Sequence, residues 1–123
     1  MEKTHPEWQK GKLNGIGGKM EEGETVIGCM AREAEEETGL KTKENDWQHF
    51  ATVFETGAQV DFFGLIHHGD KNQVKTTTDE VVSWYPATNL PKNAITNVFW
   101  LVPMALEKLK GRKFKVVEVK YLE

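Results

Sequence analysis

Residues 18–40, with the sequence GKMEEGETVIGCMAREAEEETGL, carry the strongest local pattern in this chain of 123 residues. Thr25 follows a glycine-containing turn and is a residue type that caps helix N-termini, whereas Gly39 is the type that often follows a helix C-terminus. At about 100° per residue, the apolar side chains between them form one stripe. The stretch therefore predicts an amphipathic helix that buries this stripe. The stripe consists of Val26, Ile27, Met30, Ala31 and Ala34.

Three carboxylates gather on one arc of this predicted helix. Glu33 and Glu37 project about 40° apart, and Glu36 projects about 60° to the other side of Glu33. Like charges at this spacing destabilise a helix by roughly 0.2–0.5 kcal/mol per pair, and the helix C-terminus disfavours anions by about 0.3–1 kcal/mol. Arg32 supplies only one nearby positive charge. Because carboxylate oxygens bind hard cations, the cluster predicts a site for Mg²⁺ or Mn²⁺; the alternative is an acidic, solvent-exposed face.

Fixed positions around this cluster resemble the Nudix box, the signature of hydrolases that cleave nucleoside diphosphates linked to another moiety. The spacing G-x5-E-x7-R-E-x-x-E-E-x-G-hydrophobic is present in full. One position departs, because the family usually has a bulky aliphatic residue where this chain has Ala34. Since that residue would pack the helix on the sheet, the departure concerns stability more than chemistry. The matching residues are Gly18, Glu24, Arg32, Glu33, Glu36, Glu37, Gly39 and Leu40.

The resemblance implies metal-assisted attack of water on a phosphorus atom, with Mg²⁺ or Mn²⁺ as the cofactor. Glu36 and Glu37 would be metal ligands. Glu33 would be either a ligand or the base that activates water. The backbone carbonyl of Gly17 would join the metal shell.

Other side chains would support this metal site. Arg32 would orient the glutamates, and Glu24 would brace the loop that precedes the helix. In residues 78–84, TDEVVSW, the resemblance extends to a glutamate that approaches the metal, which makes Glu80 a further candidate ligand and Asp79 the alternative. Without the box, either residue would more often be an ordinary solvated loop residue.

Residues 12–19, KLNGIGGK, resemble the corresponding part of MutT-like enzymes that hydrolyse oxidised purine nucleoside triphosphates. In those enzymes an asparagine at this place bonds the purine edge, so Asn14 is a candidate for reading the base. The alternative is a turn residue, because Asn-Gly is a strong turn signal. Lys19 in the same stretch is a second substrate-binding candidate.

Residues 90–91 and 97–103 lie where those relatives place part of the base pocket. Asn97 is the third substrate-binding candidate. The relatives use aspartates nearby, so specificity for an oxidised base is left open here. Trp100 has helical spacing with neighbouring apolar residues and could either stack on a base or pack in the core.

Composition predicts a single domain that spans residues 1–123. The mass is 14.0 kDa, the net charge is −3 and the isoelectric point is near 5.8. This balance gives no indication of a nucleic-acid-binding surface, so no nucleic-acid partner is expected. The resemblance implies a small-molecule nucleotide as the partner. Cys29 is the single cysteine, which suits a reducing, cytoplasmic location. The longest apolar stretch, residues 98–106, is too short to span a membrane, so no membrane partner is expected.

Mixed strands with two helices predict an α/β fold, and the resemblance implies an α/β/α sandwich with a mixed sheet. Only 17 residues precede Gly18, whereas Nudix domains ordinarily have about two strands there. The sheet is therefore expected to be shortened at its N-terminal strands: either the natural reading frame starts upstream, or a partner subunit completes the sheet, as in a homodimer. Beyond the box, the predicted strands are residues 47–55, 59–67, 81–85 and 113–121, and the predicted helix is residues 97–110.

The leading functional hypothesis is a metal-dependent hydrolase that converts nucleoside triphosphates to nucleoside monophosphates and pyrophosphate. A second hypothesis is a Nudix hydrolase of another nucleoside diphosphate derivative. A third is a nucleotide-binding or sensing domain without turnover.

Overall fold

A three-stranded mixed sheet with two helices forms the fold. The computed structural model describes residues 1–122, so Glu123 of the predicted domain lies outside the described residues. The sheet has the order β2-β1-β3, with β2 antiparallel and β3 parallel to β1. This confirms the predicted α/β class with a mixed sheet. The helices and strands are α1 (Val26–Thr38), β1 (Gln48–Glu55), β2 (Ala58–Gly64), α2 (Val98–Leu109) and β3 (Val117–Lys120).

The central strand β1 carries the best-buried part of the molecule. Ala51 and Val53 are 0% and 1% exposed, because β1 has a strand on each side and packs against α2. Leu101 of α2 forms a buried cluster with Phe50 and Ala51 of β1. Trp100, whose role the sequence left open, packs against this cluster together with Phe62, Met104, Ala105 and Phe114. Burial of apolar area against β1 is thus what holds α2 on the sheet.

Two predicted strands are shorter than expected. The strand predicted at residues 59–67 ends at Gly64. The strand predicted at residues 113–121 begins only at Val117 and ends at Lys120, with one further hydrogen bond from the Tyr121 N–H to the carbonyl of Phe54. Its start is delayed because the Lys108 ammonium donates to the carbonyls of Phe114 and Lys115 and holds that segment outside the sheet.

The prediction of a strand at residues 81–85 is wrong, because this segment has no regular secondary structure. Its backbone contacts are isolated ones: the Glu2 N–H donates to the carbonyl of Val81 at 2.8 Å, and the Thr76 hydroxyl contacts the N–H and the carbonyl of Val82. A β-ladder needs a continuous neighbouring strand. The alternating apolar residues at these positions are therefore not enough to form a strand.

The segment before the box is irregular, as its polar, turn-like sequence indicates. Apart from one short 3₁₀ turn, Glu7–Gln9, its β-pairing with other described residues is limited to isolated bridges, between Glu2 and Leu13 and between Leu13 and Ala94. In the part of the chain that the structure describes, no helix is long and apolar enough to cross a membrane.

Replacing Leu101 with alanine is expected to lower the free energy of unfolding by about 2–5 kcal/mol, because it leaves a cavity between α2 and β1. Leu122→Ala is the matched control: Leu122 is 97% exposed, so its loss should change stability by less than about 0.5 kcal/mol. Urea denaturation followed by circular dichroism measures both values. Equal losses in the two variants would contradict this account of the core.

Candidate active site

Both ends of α1 are capped as the sequence predicts. The Thr25 hydroxyl accepts a hydrogen bond from the Gly28 N–H at 3.1 Å. Gly39 has a left-handed conformation with φ of 76°, and its N–H donates to the carbonyl of Glu35 at 2.8 Å. These caps set the start and the end of the helix and therefore the direction of its three carboxylates.

The Arg32 guanidinium lies at the centre of the acidic cluster. It makes a two-point contact with Glu24, with Nε 2.7 Å from Oε2 and Nη2 3.1 Å from Oε1. Nη1 donates to Glu33 and to Glu36 at 3.0 Å each. Nη2 also donates to the carbonyl of Lys19 at 3.0 Å. Arg32 thus connects the box loop to α1 and orients two of the glutamates.

Glu24 is the carboxylate whose ionised form is most strongly stabilised in this arrangement. Its hydrogen bonds from the Arg32 guanidinium and then from the Glu21 N–H lower its pKa to about 2. The pKa of Arg32 is raised by its hydrogen bonds, first to Glu24 and then to Glu33 and Glu36. The Glu21 N–H donates to Glu24 Oε1 at 2.9 Å. Glu24 therefore braces residues 21–24 against α1.

Glu37 differs from its neighbours because it is buried without an ion pair. It is 7% exposed, and the Gly17 N–H donates to its Oε1 at 2.7 Å. Burial, together with the charges of Glu33 and Glu80, raises the pKa of Glu37 to about 7 against the effect of this hydrogen bond. Among the described residues, no cationic side chain lies within ion-pair distance of Glu37.

The glycines before the helix allow the backbone to approach the carboxylates. A Cβ atom at Gly18 would lie 2.3 Å from Glu33 Oε1, a distance that real Cβ atoms do not show. The backbone at Gly17 contacts Glu37, as the hydrogen bond above shows. The Gly17–Gly18 backbone thus lies directly against two of the three predicted metal ligands.

The donor set fits a hard divalent cation by its chemistry. All candidate donors are oxygens. Glu33 and Glu36 share one guanidinium that also binds Glu24, whereas Glu37 does not contact it. In the described residues, no three His, Cys, Asp or Glu side chains converge on one point as a closed metal site. The residues therefore supply the ligand types and the excess negative charge, while Arg32 holds Glu33 and Glu36 in the arrangement described.

Glu80 is held by the N-terminal segment. Its carboxylate is 3.1 Å from the Lys3 ammonium and accepts from the Thr4 N–H at 2.8 Å. Burial alone would raise the pKa of Glu80, but the bonds from Thr4 and Lys3 outweigh it and leave that pKa below its ordinary value. The alternative, Asp79, accepts from the Thr4 hydroxyl at 3.2 Å. A metal-binding role of Glu80 stays a prediction.

The structure brings Asn14 to a small cleft of about 130 Å³. Asn14 Oδ1 accepts from the Gly15 N–H at 2.8 Å, which is the contact of a turn residue. Asn97 lies just before α2 and does not line the cleft; its buried Oδ1 has no hydrogen-bond partner among the described residues. Lys19 is exposed and contributes its carbonyl to Arg32. The cleft is lined by Met1, Leu13, Asn14, Gly15, Tyr85, Leu90, Pro91, Ala94 and Val98.

Some residues near the site were missed by the sequence reading. Lys3, the partner of Glu80, is 77 positions away along the chain, and no local pattern indicates that pairing. Met1 and Tyr85 line the small cleft together with the anticipated residues 90–91. A tyrosine directly before a proline at residues 85–86 is a weak signal for a loop that could approach a ligand.

The family model described as the NUDIX domain matches residues 2–117. The chain belongs to the Nudix family. This confirms the family that the box in residues 18–40 indicates, whereas the match does not specify a MutT-like subtype. The match also agrees with the α/β fold described above.

Curated relatives of this Nudix chain have the name NAD-capped RNA hydrolase NudC. The protein from Vibrio vulnificus is 31% identical over 97 residues, which are 75% of this chain and 35% of the relative. The protein from Photobacterium profundum is 30% identical over 116 residues, which are 89% of this chain and 42% of the relative. The chain thus spans less than half the length of these relatives. No solved structure matches it significantly.

Glu37→Gln is expected to stabilise the metal-free protein increasingly as the pH rises. The folded-state pKa of Glu37 is raised from 4.5 to about 7, so its contribution to stability is complete below about pH 4.5 and is lost as the pH rises through 7. Glutamine cannot ionise and keeps an oxygen acceptor for the Gly17 N–H. In EDTA, the variant should gain roughly 1–3 kcal/mol over wild type between pH 5 and pH 8.5.

Denaturant titrations at several pH values measure this difference. Glu35→Gln is the matched control, because Glu35 is exposed and its only ion pair among the described residues is a 3.9 Å contact with the exposed Lys41 ammonium. Its effect on stability should not change over the same pH range. A stability difference for Glu37→Gln that is independent of pH would contradict the assigned ionisation.

Proposed function

We propose that this chain catalyses divalent-metal-dependent hydrolysis of a phosphoric anhydride bond in nucleoside triphosphates, with release of a nucleoside monophosphate and pyrophosphate. The observation that carries the proposal is the cluster of Glu33, Glu36 and Glu37, whose negative charge exceeds what Arg32 can neutralise. Membership of the Nudix family supports the reaction class.

In the proposed reaction, water attacks a phosphorus atom, and the bond from that phosphorus to the bridging oxygen breaks. A glutamate of the cluster accepts the proton of the water, and the bridging oxygen leaves with the pyrophosphate. When bound by Glu33, Glu36, Glu37 and the Gly17 carbonyl, Mg²⁺ or Mn²⁺ would neutralise phosphate oxygens and lower the pKa of the attacking water.

Arg32 has a positioning role in this proposal. Its contacts fix the directions of Glu33 and Glu36, and its two-point contact with Glu24 holds the loop that supplies the Gly17 and Gly18 backbone. A lysine could not make these simultaneous contacts, because an ammonium group lacks the planar fork of a guanidinium.

The small cleft supports a nucleotide substrate. It joins the Asn14 amide to apolar side chains at Leu90, Pro91 and Val98, which suits the edge and the face of a purine. Asn14 would read the base edge, and Lys19 is proposed to contact the phosphates from the same segment. The buried Asn97 Oδ1, just before α2, has no hydrogen-bond partner in the described part of the chain, which supports a role for its amide beside this cleft. Oxidised purine nucleotides are one proposed class of substrate among the nucleoside triphosphates.

A second candidate follows from the curated relatives. Proteins named NAD-capped RNA hydrolase NudC match 75% and 89% of this chain. Those names support an anhydride that links two nucleosides as an alternative substrate, which the same carboxylate cluster would hydrolyse.

Two finer predictions also remain proposals. A cytoplasmic location is supported by the single cysteine, Cys29, which is free and buried. A homodimer is supported by the outer strands β2 and β3, each of which pairs with β1 alone among the described strands.

Glu36→Gln is expected to reduce turnover by at least a hundredfold, because it removes a charged ligand from the cluster. The assay incubates the protein with Mg²⁺ and a panel of ordinary and oxidised nucleoside triphosphates, NAD and a dinucleoside polyphosphate, and then quantifies pyrophosphate and nucleoside monophosphate. Glu35→Gln is the matched control: it makes the same change one residue away, outside the Arg32 contacts, and should retain activity within about twofold of wild type.

Three outcomes of this assay are distinguishable. Pyrophosphate release from a triphosphate that Glu36→Gln abolishes supports the leading proposal. Turnover of NAD alone would favour the second candidate. Nucleotide binding without any turnover by the wild-type protein would contradict both and favour a sensing domain.

Asn14→Ala is expected to raise KM for purine nucleotides by about tenfold while changing kcat less, because a hydrogen bond to the base contributes to binding rather than to the phosphoryl chemistry. Asn89→Ala is the control, since Asn89 is an exposed turn residue outside the cleft. Steady-state kinetics gives both parameters. An unchanged KM together with lower stability would show that Asn14 is only a turn residue.

A further inference from the structure

A buried ion pair joins the N-terminal segment to Glu80, the candidate metal ligand outside the box. The Lys3 ammonium lies 3.1 Å from Glu80 Oε1, and the two side chains are 14% and 6% exposed. The other carboxylate oxygen, Oε2, accepts from the Thr4 N–H at 2.8 Å. Glu80 is therefore held on both oxygens by two consecutive residues that lie 77 and 76 positions away along the chain.

The backbone around Lys3 is fixed by hydrogen bonds on two sides. The Lys3 N–H donates to the carbonyl of Lys12, and the Lys3 carbonyl accepts from the Gly11 N–H, at 2.9 Å each. The Glu2 N–H donates to the carbonyl of Val81 at 2.8 Å, which ties the segment to the loop of the ion-pair partner. Most lysines keep their ammonium group in water. The ammonium of Lys3 is instead a positive charge that the fold holds in one place.

Glu37 lies within the range of both charges of this ion pair. Burial is the main reason why the pKa of Glu37 is raised, but the charge of Lys3 lowers that pKa and the charge of Glu80 raises it. Among the described residues, the ion pair of Lys3 is with Glu80 and not with a glutamate of the box. Lys3 therefore acts on the carboxylate cluster through space, whereas Arg32 acts on it by direct contact.

A fixed positive charge beside a carboxylate cluster has two opposite effects. It stabilises the ionised carboxylates when no metal is bound, because opposite charges attract. It also repels a metal ion, and a protonated amine has no lone pair with which to bind one. Lys3 therefore stabilises the same glutamates that a metal ion would stabilise, and it opposes the binding of that ion.

We propose that the Lys3 ammonium is an internal counter-ion of the carboxylate cluster, which holds Glu80 in place and lowers the affinity of the cluster for a divalent cation. The proposal rests on the proposed function, because it takes the cluster to be a metal site. It assigns a positioning role to a residue outside the box. The cluster keeps its arrangement without metal, but it binds metal more weakly than the carboxylates would without Lys3.

Three substitutions at Lys3 separate its charge from its hydrogen bond. Lys3→Gln removes the charge and keeps an N–H donor for Glu80, Lys3→Met removes both, and Lys3→Arg keeps both. Lys10→Gln is the matched control, because Lys10 is an exposed lysine of the same segment and its loss changes the net charge equally. Circular dichroism checks the folding of each variant. If Lys3→Met unfolds because Glu80 loses a partner, Lys3→Gln still decides the question.

Binding of Mn²⁺ without nucleotide is measured at pH 8, above the pKa of Glu37 of about 7, from the electron paramagnetic resonance signal of the free ion. Lys3→Gln and Lys3→Met should bind Mn²⁺ at least threefold more tightly than the wild type, because the repulsion from the ammonium is gone. Lys3→Arg and Lys10→Gln should stay within about twofold of the wild type, since the first keeps the charge and the second removes only a solvated one.

Two results would overturn this inference while the proposed function stands. One is unchanged or weaker Mn²⁺ binding in Lys3→Gln when the wild type binds Mn²⁺, which would leave Lys3 with no effect on metal affinity through its charge. The other is equal tightening in Lys3→Gln and Lys10→Gln, which would reflect only the net charge of the chain. Absence of Mn²⁺ binding in the wild type and in every variant would contradict the proposed function as well as this inference.

Discussion

The contacts of the Arg32 guanidinium are the constraint on which the rest of this site depends. Its N–H groups donate to Glu24, Glu33 and Glu36 and to the carbonyl of Lys19. Lys19 and Glu24 lie on the loop before α1, whereas Glu33 and Glu36 lie on α1, so the guanidinium links the loop to the helix. Charge-assisted hydrogen bonds of this kind are roughly twice as strong as neutral ones. One guanidinium therefore supplies the geometry of the site, but it supplies only one positive charge for several carboxylates.

Glu37 is the carboxylate of the cluster that Arg32 does not contact. This residue is buried and accepts a hydrogen bond from the Gly17 N–H, and its burial raises its pKa to about 7. A fully exposed glutamate would have its ordinary pKa and no need for a counter-ion. A divalent cation bound here would relieve the burial penalty of Glu37 as well as the repulsion from Glu33. Metal binding and the protonation of Glu37 are thus two ways of removing the same unfavourable charge, and they compete.

The sequence predicts the parts of this molecule that depend on local chemistry. The caps at Thr25 and Gly39 and the body of α2 lie where residue type and spacing indicate, because each depends on neighbours a few positions away. The predictions fail where contacts with residues distant in the sequence determine the structure. The segment at residues 81–85 has strand-like alternation but finds no continuous neighbouring strand, and β3 is shortened by the side chain of Lys108. The pairing of Glu80 with Lys3 spans 77 positions, so no periodicity could reveal it.

The net charge of the whole chain differs in its effect from the charges that lie close to the site. A net charge of −3 describes the long-range field of the chain, which repels polyanions weakly and is screened beyond about 8 Å at physiological salt. At shorter range, the charges that an anionic substrate meets at the site are those of Glu33, Glu36, Glu37 and Arg32. The carboxylates therefore bind such a substrate only when a cation lies between them. Such a site binds its substrate together with the metal, and it disfavours the anion alone.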